Sequence, residues 1–88
     1  MNEPLFSLGS IVSTPGALDA IPADVMVQNL RRHLQLDDDN QYEEDRQANV
    51  DALKYGHRIF SVYDQPEKHY IITEWDRSIP TVLLPEEY

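Results

Sequence analysis

Three stretches decide the fold: Arg58-Ile-Phe-Ser-Val-Tyr63, His69-Tyr-Ile-Ile-Thr-Glu-Trp75 and Thr81-Val-Leu-Leu84. Each is rich in β-branched and aromatic residues, which fit a pleated, half-buried surface. Asp64-Gln-Pro-Glu-Lys68 and Asp76-Arg-Ser78 separate them and have the chemistry of turns. Consecutive strands joined by short turns predict an antiparallel meander. Strict alternation puts Phe60 and Val62 on one face and Ile59, Ser61 and Tyr63 on the other. In the next strand Tyr70, Ile72 and Glu74 oppose His69, Ile71, Thr73 and Trp75. Both faces therefore carry apolar groups. Ordinary core packing explains most such patterns. Tyr70 and Trp75 are also the candidate interface aromatics, should one face stay open to a partner or a second copy. Pro85 is placed to stop the last strand.

Working toward the N-terminus, the chain reads as helix. Asn40 and Glu43 have the spacing of a capping box, which predicts a helix from about Gln41 to Tyr55. Gly56 follows as a left-handed cap. The apolar face of this helix is thin: Tyr42, Ala48 or Asn49, Val50 and Leu53. A second helix is predicted from about Ala23 to Gln35, with Met26 or Val27, Leu30 and Leu34 at helical spacing. Arg31, Arg32 and His33 lie at its C-terminal end, where positive charge suits the dipole. Thr14 reads as an N-cap and Pro15 as the first residue of a short helix to about Ala20, which Pro22 interrupts. Ser10-Ile-Val-Ser13 is a candidate strand, and residues 1–6 read as a loose tail ending in Leu5 and Phe6. The expected fold class is α+β: N-terminal helices packed on a three-stranded antiparallel sheet, with Ser10–Ser13 available as a fourth strand. At 88 residues, one domain spanning 1–88 is expected.

Composition narrows the function classes. The absence of cysteine removes disulfides, thiolate zinc sites and cysteine nucleophiles. The N-terminus lacks the basic and apolar regions of a signal peptide, and no apolar run approaches the ~18 residues of a membrane span. A cytoplasmic protein is expected. Seven Lys and Arg against sixteen Asp and Glu give a net charge of −9. Such a chain repels nucleic acid and anionic membrane, so the expected partners are basic protein surfaces or cations.

The charge is concentrated. Asp37, Asp38, Asp39, Glu43, Glu44, Asp45 and Asp51 set seven acids against one base, Arg46, a local net charge of −6. Acids at a helix start ordinarily serve as a solvated face and suit the dipole. The same carboxylates have the chemistry to meet the Arg and Lys side chains of a nucleic-acid-binding cleft. The candidate partner-binding residues are Asp37, Asp38, Asp39, Glu43, Glu44 and Asp45, with Tyr42 as an aromatic contact. A calcium loop is not supported, because Tyr42 stands where such a loop needs Gly and Ala48 where it needs Glu. His33, His57 and His69 lack the i, i+4 spacing of a helical metal site and read as surface or capping residues. There is no Gly-x-Ser-x-Gly elbow and no Gly-rich phosphate loop. The expectation is a binding protein with no cofactor, no metal and no catalytic residues.

Phe6-Ser-Leu-Gly-Ser-Ile-Val-Ser-Thr-Pro-Gly-Ala-Leu18, Glu43-Glu-Asp-Arg-Gln-Ala-Asn49, Ile72-Thr-Glu-Trp-Asp-Arg-Ser78 and Thr81-Val-Leu-Leu-Pro-Glu-Glu-Tyr88 resemble a group of small bacterial proteins encoded on plasmids, integrative elements and prophages. Trp75 and Pro80 depart from that pattern, where a smaller residue and a Thr are expected. The resemblance implies a mobile-element setting and no catalytic mechanism. By analogy with small acidic proteins of such elements, the expected function is inhibition of a host nucleic-acid-binding defence complex. The target would be a CRISPR effector or a restriction enzyme, blocked by occlusion or DNA mimicry. The alternative expectation is a homodimeric accessory or adaptor protein that pairs through its sheet.

Overall fold

The computed structural model describes residues 12–88. The expectations for the tail at 1–6 and for Ser10 and Ile11 lie outside those residues. In chain order the elements are β1 (Val12–Ser13), α1 (Pro15–Ala20), α2 (Ala23–Leu34), α3 (Glu43–Tyr55), β2 (Ile59–Tyr63), β3 (His69–Thr73) and β4 (Thr81–Leu83), followed by a 3-10 turn at Pro85–Glu87. The class is α+β.

Strands β2, β3 and β4 form the antiparallel meander, with Ser61 opposite Ile71 and Ile71 opposite Val82. The sheet order is β1-β4-β3-β2. β1 pairs with β4 in parallel, Val12 opposite Thr81, so the sheet is mixed rather than antiparallel, and one strand precedes the helices. A parallel pair needs a long crossover. The whole run from α1 to β3 supplies it. Strand propensity near Val12 is local information, whereas its neighbour and direction depend on where that crossover returns.

Capping explains the helix limits. The Thr14 hydroxyl accepts the Ala17 N–H at 3.3 Å and Pro15 takes the first position of α1. In α2 the buried residues are Met26, Asn29, Leu30 and His33, one face at i, i+3, i+4 spacing. Helix α3 begins two residues later than the capping-box reading: Glu43 is its first residue and Tyr42 its N-cap. Asn40 instead accepts the Tyr42 N–H at 2.9 Å and donates to Asp45 at 3.0 Å. Its short side chain is satisfied in the turn before the helix, so it cannot also cap it. Gly56 closes α3 at φ 75°, a conformation that costs an L residue roughly 1 kcal/mol.

The core lies between α1–α2 and one face of the sheet. Ala17, Ile21, Met26 and Leu30 pack there with Tyr63, Ile71, Val82 and Leu84. A polar seam runs through it. His33 Nδ1 and Nε2 meet the Ser61 hydroxyl at 2.7 Å and the Thr73 hydroxyl at 2.8 Å. His69 Nδ1–H donates to the Glu67 carbonyl at 2.7 Å, which leaves Nε2 to accept from the Asn29 amide at 3.0 Å. Both rings are fully buried, which corrects the reading of His33 and His69 as surface or capping residues. Their positions, inward on α2 and inward on β3, follow from periodicities that place them beside Leu30 and Ile71. His57 is exposed just after Gly56, and its N–H bonds to the Ala52 carbonyl at 3.0 Å.

Candidate functional site

The acidic segment divides into two sets with different work. Asp38 and Asp39 face inward along the outer edge of β2, while the exposed Asp37 joins them through its backbone and through Arg32. The Asp38 carboxylate accepts the Val62 N–H at 2.9 Å, and the Asp39 N–H donates to the Val62 carbonyl at 2.8 Å. The Asp39 carboxylate accepts the Asp64 N–H at 3.0 Å, and the Asp37 carbonyl accepts the Tyr63 hydroxyl at 2.9 Å. Arg32 ties the loop back to α2 through Asp37 and Asp39, both at 2.9 Å. Its guanidinium also lies 5.0 Å over the Tyr63 ring.

Charges respond to this enclosure. Burial raises the Asp38 carboxyl above the ordinary aspartate value, against the pull of the Val62 and Asn40 N–H groups. Burial also works on Asp39, but the Asp64 N–H and the Arg32 guanidinium outweigh it and hold that carboxyl below the usual value. Asp38 is only 8% exposed and does not offer its carboxylate to another molecule.

Glu43, Glu44 and Asp45 form the outward set. They occupy the first turn of α3, and residues 41–48 are all exposed. Tyr42 beside them is 69% exposed. One side of this helix buries only Asn49 and Ala52. The Asn49 amide takes the place of a neighbouring strand: it donates to the Phe60 carbonyl at 2.8 Å and accepts the Phe60 N–H at 3.0 Å. Arg77 holds the other end, donating to the Ala52 and His57 carbonyls at 2.8 and 2.7 Å. The edge of β2 is thereby closed by side chains, which blocks strand addition there. Asn49, Arg32 and Arg77 were absent from the sequence-level site. The one available signal was Asn49, a residue that favours turns and caps set in the middle of a helix.

The second candidate surface is the sheet face away from α1 and α2. Phe60, Val62 and Tyr70 are half-buried on it. Phe60 and Tyr70 have ring centroids 4.8 Å apart, and Tyr88 leans on both at 5.5 and 6.0 Å. Arg58 donates to the Tyr88 hydroxyl at 2.9 Å and pairs with Glu74 at 3.0 Å. Between the aromatic floor and α3 runs a cleft lined by Asp45, Ala48, Phe60, Val62, Lys68 and Tyr70. Trp75 is not part of this face. β3 ends at Thr73, and Trp75 projects from the following turn at 68% exposure, where Arg77 adopts φ 57°. The strand expected from His69 to Trp75 therefore stops two residues short of Trp75.

The segments around Thr14–Leu18 and Leu83–Tyr88 meet in space. β1 lies beside β4, and the Glu87 carboxylate accepts from the Thr14 hydroxyl, the Gly16 N–H at 3.2 Å and the Leu84 N–H at 2.9 Å. Thr-Pro-Gly-Ala-Leu18 and Leu-Leu-Pro-Glu-Glu-Tyr88 form a clasp that closes the sheet. Among the described residues no group of three or more His, Cys, Asp or Glu is placed to hold a metal ion. No helix among them is long and apolar enough to cross a membrane. Comparison with protein-family models, with curated proteins and with solved structures finds no match.

Proposed function

We propose that this chain is an acidic binding protein that covers a basic, nucleic-acid-recognising surface of a bacterial host defence complex, encoded by a mobile element and acting in the cytoplasm. The observation that carries the reading is the outward set Glu43, Glu44 and Asp45, with Tyr42, on a helix pinned to the sheet at Asn49 and Arg77. A pinned helix presents its carboxylates without first ordering them, which removes an entropic penalty from binding. Arg and Lys in a nucleic-acid cleft are spaced for phosphates and accept carboxylates in the same geometry. The resemblance to plasmid and prophage proteins supplies the setting.

This reading narrows the contact set. Asp37, Asp38 and Asp39 support the fold, while Glu43, Glu44, Asp45 and Tyr42 meet the partner. The test is affinity capture of the tagged protein from a bacterial host carrying restriction and CRISPR systems, beside a Glu43→Lys/Glu44→Lys/Asp45→Lys variant. Capture of a nucleic-acid-binding defence protein that is shed as salt rises and lost in the variant is the expected result. Equal capture by the variant would remove the acidic helix from the mechanism.

A further inference from the structure

We propose that the cavity between α2 and the turn joining β2 to β3 binds an uncharged cyclic amide, of the kind a nucleobase presents at its lactam edge, through the Asn29 carbonyl and the Arg32 guanidinium. The cavity measures about 390 Å³, with Val25, Gln28, Asn29 and Arg32 on its helix side and Gln65 and Pro66 on its turn side. That volume lies in the range of small-molecule sites, roughly 300–1,000 Å³. Asn29 is the residue that points to a ligand. It is only 5% exposed, and half of its amide is unused. His69 decides which half. The His69 Nδ1–H is given to the Glu67 carbonyl, so Nε2 takes an N–H of the Asn29 amide. Asn29 Oδ1 is thereby turned away from His69, and no described residue donates to it. It is not sealed from solvent, and it belongs to a residue that lines the cavity. An N–H of a molecule seated there satisfies it.

Neighbouring groups set the ligand's charge and shape. Arg32 follows Asn29 at i, i+3 on the same face of α2, close enough for one small molecule to meet both. Its Nε and Nη2 are held by Asp37 and Asp39, whereas Nη1 donates to no described residue. An open acceptor beside an open donor matches a ligand that carries N–H and C=O side by side. Arg32, Asp37 and Asp39 together sum to 1 − 2 = −1, so an anion is repelled. Asp39, the acid in the lining, has both oxygens occupied, by Arg32 and by the Asp64 N–H, so a cation finds no free carboxylate there. Half-buried Val25 and the Pro66 ring supply apolar walls for the faces of a flat ring. The outward acids of α3 take no part in this site.

Titration of the ¹⁵N-labelled protein with uridine, followed by NMR through the side-chain signals of Asn29 and Arg32, tests the proposal. Saturable shifts at both residues, with a dissociation constant of about 1 mM or tighter, are expected. N3-methyluridine keeps the ring and both carbonyls but has no ring N–H, and it should bind at least about tenfold more weakly. Uridine 5′-monophosphate carries the same base with added negative charge and should also bind more weakly than uridine. Gln28→Trp fills the mouth of the cavity from an exposed helix position and should weaken uridine binding at least about tenfold, its amide spectrum showing that the fold is kept. No shift, or shifts away from Asn29 and Arg32, overturns the proposal. So does equal binding of N3-methyluridine, tighter binding of the monophosphate, or a Gln28→Trp protein that binds as well as wild type. None of these outcomes alters capture through Glu43, Glu44 and Asp45, so the two readings fail separately.

Discussion

Asn49 in the middle of α3 makes both hydrogen bonds that a neighbouring strand would make to Phe60, at 2.8 and 3.0 Å. One amide therefore joins a helix with almost no apolar face to the rim of the sheet. Asn49→Ala leaves the N–H and carbonyl of Phe60 without that partner in a half-buried position, at about 2–3 kcal/mol. Asn49→Asp keeps the acceptor but sets a carboxylate oxygen against the Phe60 carbonyl at a buried position, so it should be no more stable than Ala. Urea unfolding of the three proteins measures the order. Equal stability of Asn49→Ala and wild type would mean that α3 is held by other contacts.

Gly16 offers a test of sign. Gly→Ala inside a helix ordinarily stabilises by up to about 1 kcal/mol. At Gly16 a Cβ would lie 2.7 Å from the Glu87 carboxylate, which must then leave Thr14, Gly16 and Leu84. Gly16→Ala should therefore destabilise the wild-type chain and stabilise a Glu87→Ala chain. Thermal melts of the four proteins in that cycle give the answer, and the same sign in both backgrounds would refute the clasp.

His33 predicts an acid response. Burial lowers its pKa from 6.5 to about 4, so the folded state holds the neutral ring and the unfolded chain takes up the proton first. Its contribution is complete above pH 6.5 and is lost as pH falls from 6.5 toward 4, by about 3 kcal/mol. The raised Asp38 carboxyl acts in the opposite sense, gaining stability as it protonates. The measurable quantity is thus the difference between wild type and His33→Gln in urea unfolding at pH 7.5, 5.5 and 4.5. The stability gap between them should shrink as pH falls; a constant gap would exclude His33 as the source.

The two acidic sets should separate by stability. Asp39→Asn weakens the partly buried link to Arg32 and the bond to the Asp64 N–H, and should destabilise by about 1–2 kcal/mol. Glu43→Gln, Glu44→Gln and Asp45→Asn together lie on the exposed turn and should shift stability by no more than about 1 kcal/mol, chiefly through the helix dipole. Denaturant midpoints of the two variants decide it. A triple variant as damaged as Asp39→Asn would assign the outward acids to the fold.

Helix α1 with its Thr14 cap, the Gly56 stop on α3 and the three strands of the meander were legible in the residues, because capping, glycine stops and alternation act over a few positions. The alternation within each strand was visible too, but that Phe60 and Tyr70 share a face follows only from the register of β2 with β3. The acidic run at 37–45 was equally plain as composition, yet its division was not. Whether an Asp points at water or at the backbone of Val62 depends on a contact 24 residues away. The parallel pairing of β1 with β4, the burial of His33 and His69, and the role of Asn49 are of the same kind. The residue sequence by itself determined which local elements form and how much charge the chain carries. Only the tertiary structure decided which carboxylates satisfy the edge of β2 and which remain on the surface, because unpaired backbone groups at a buried edge outbid solvent for the nearest oxygen.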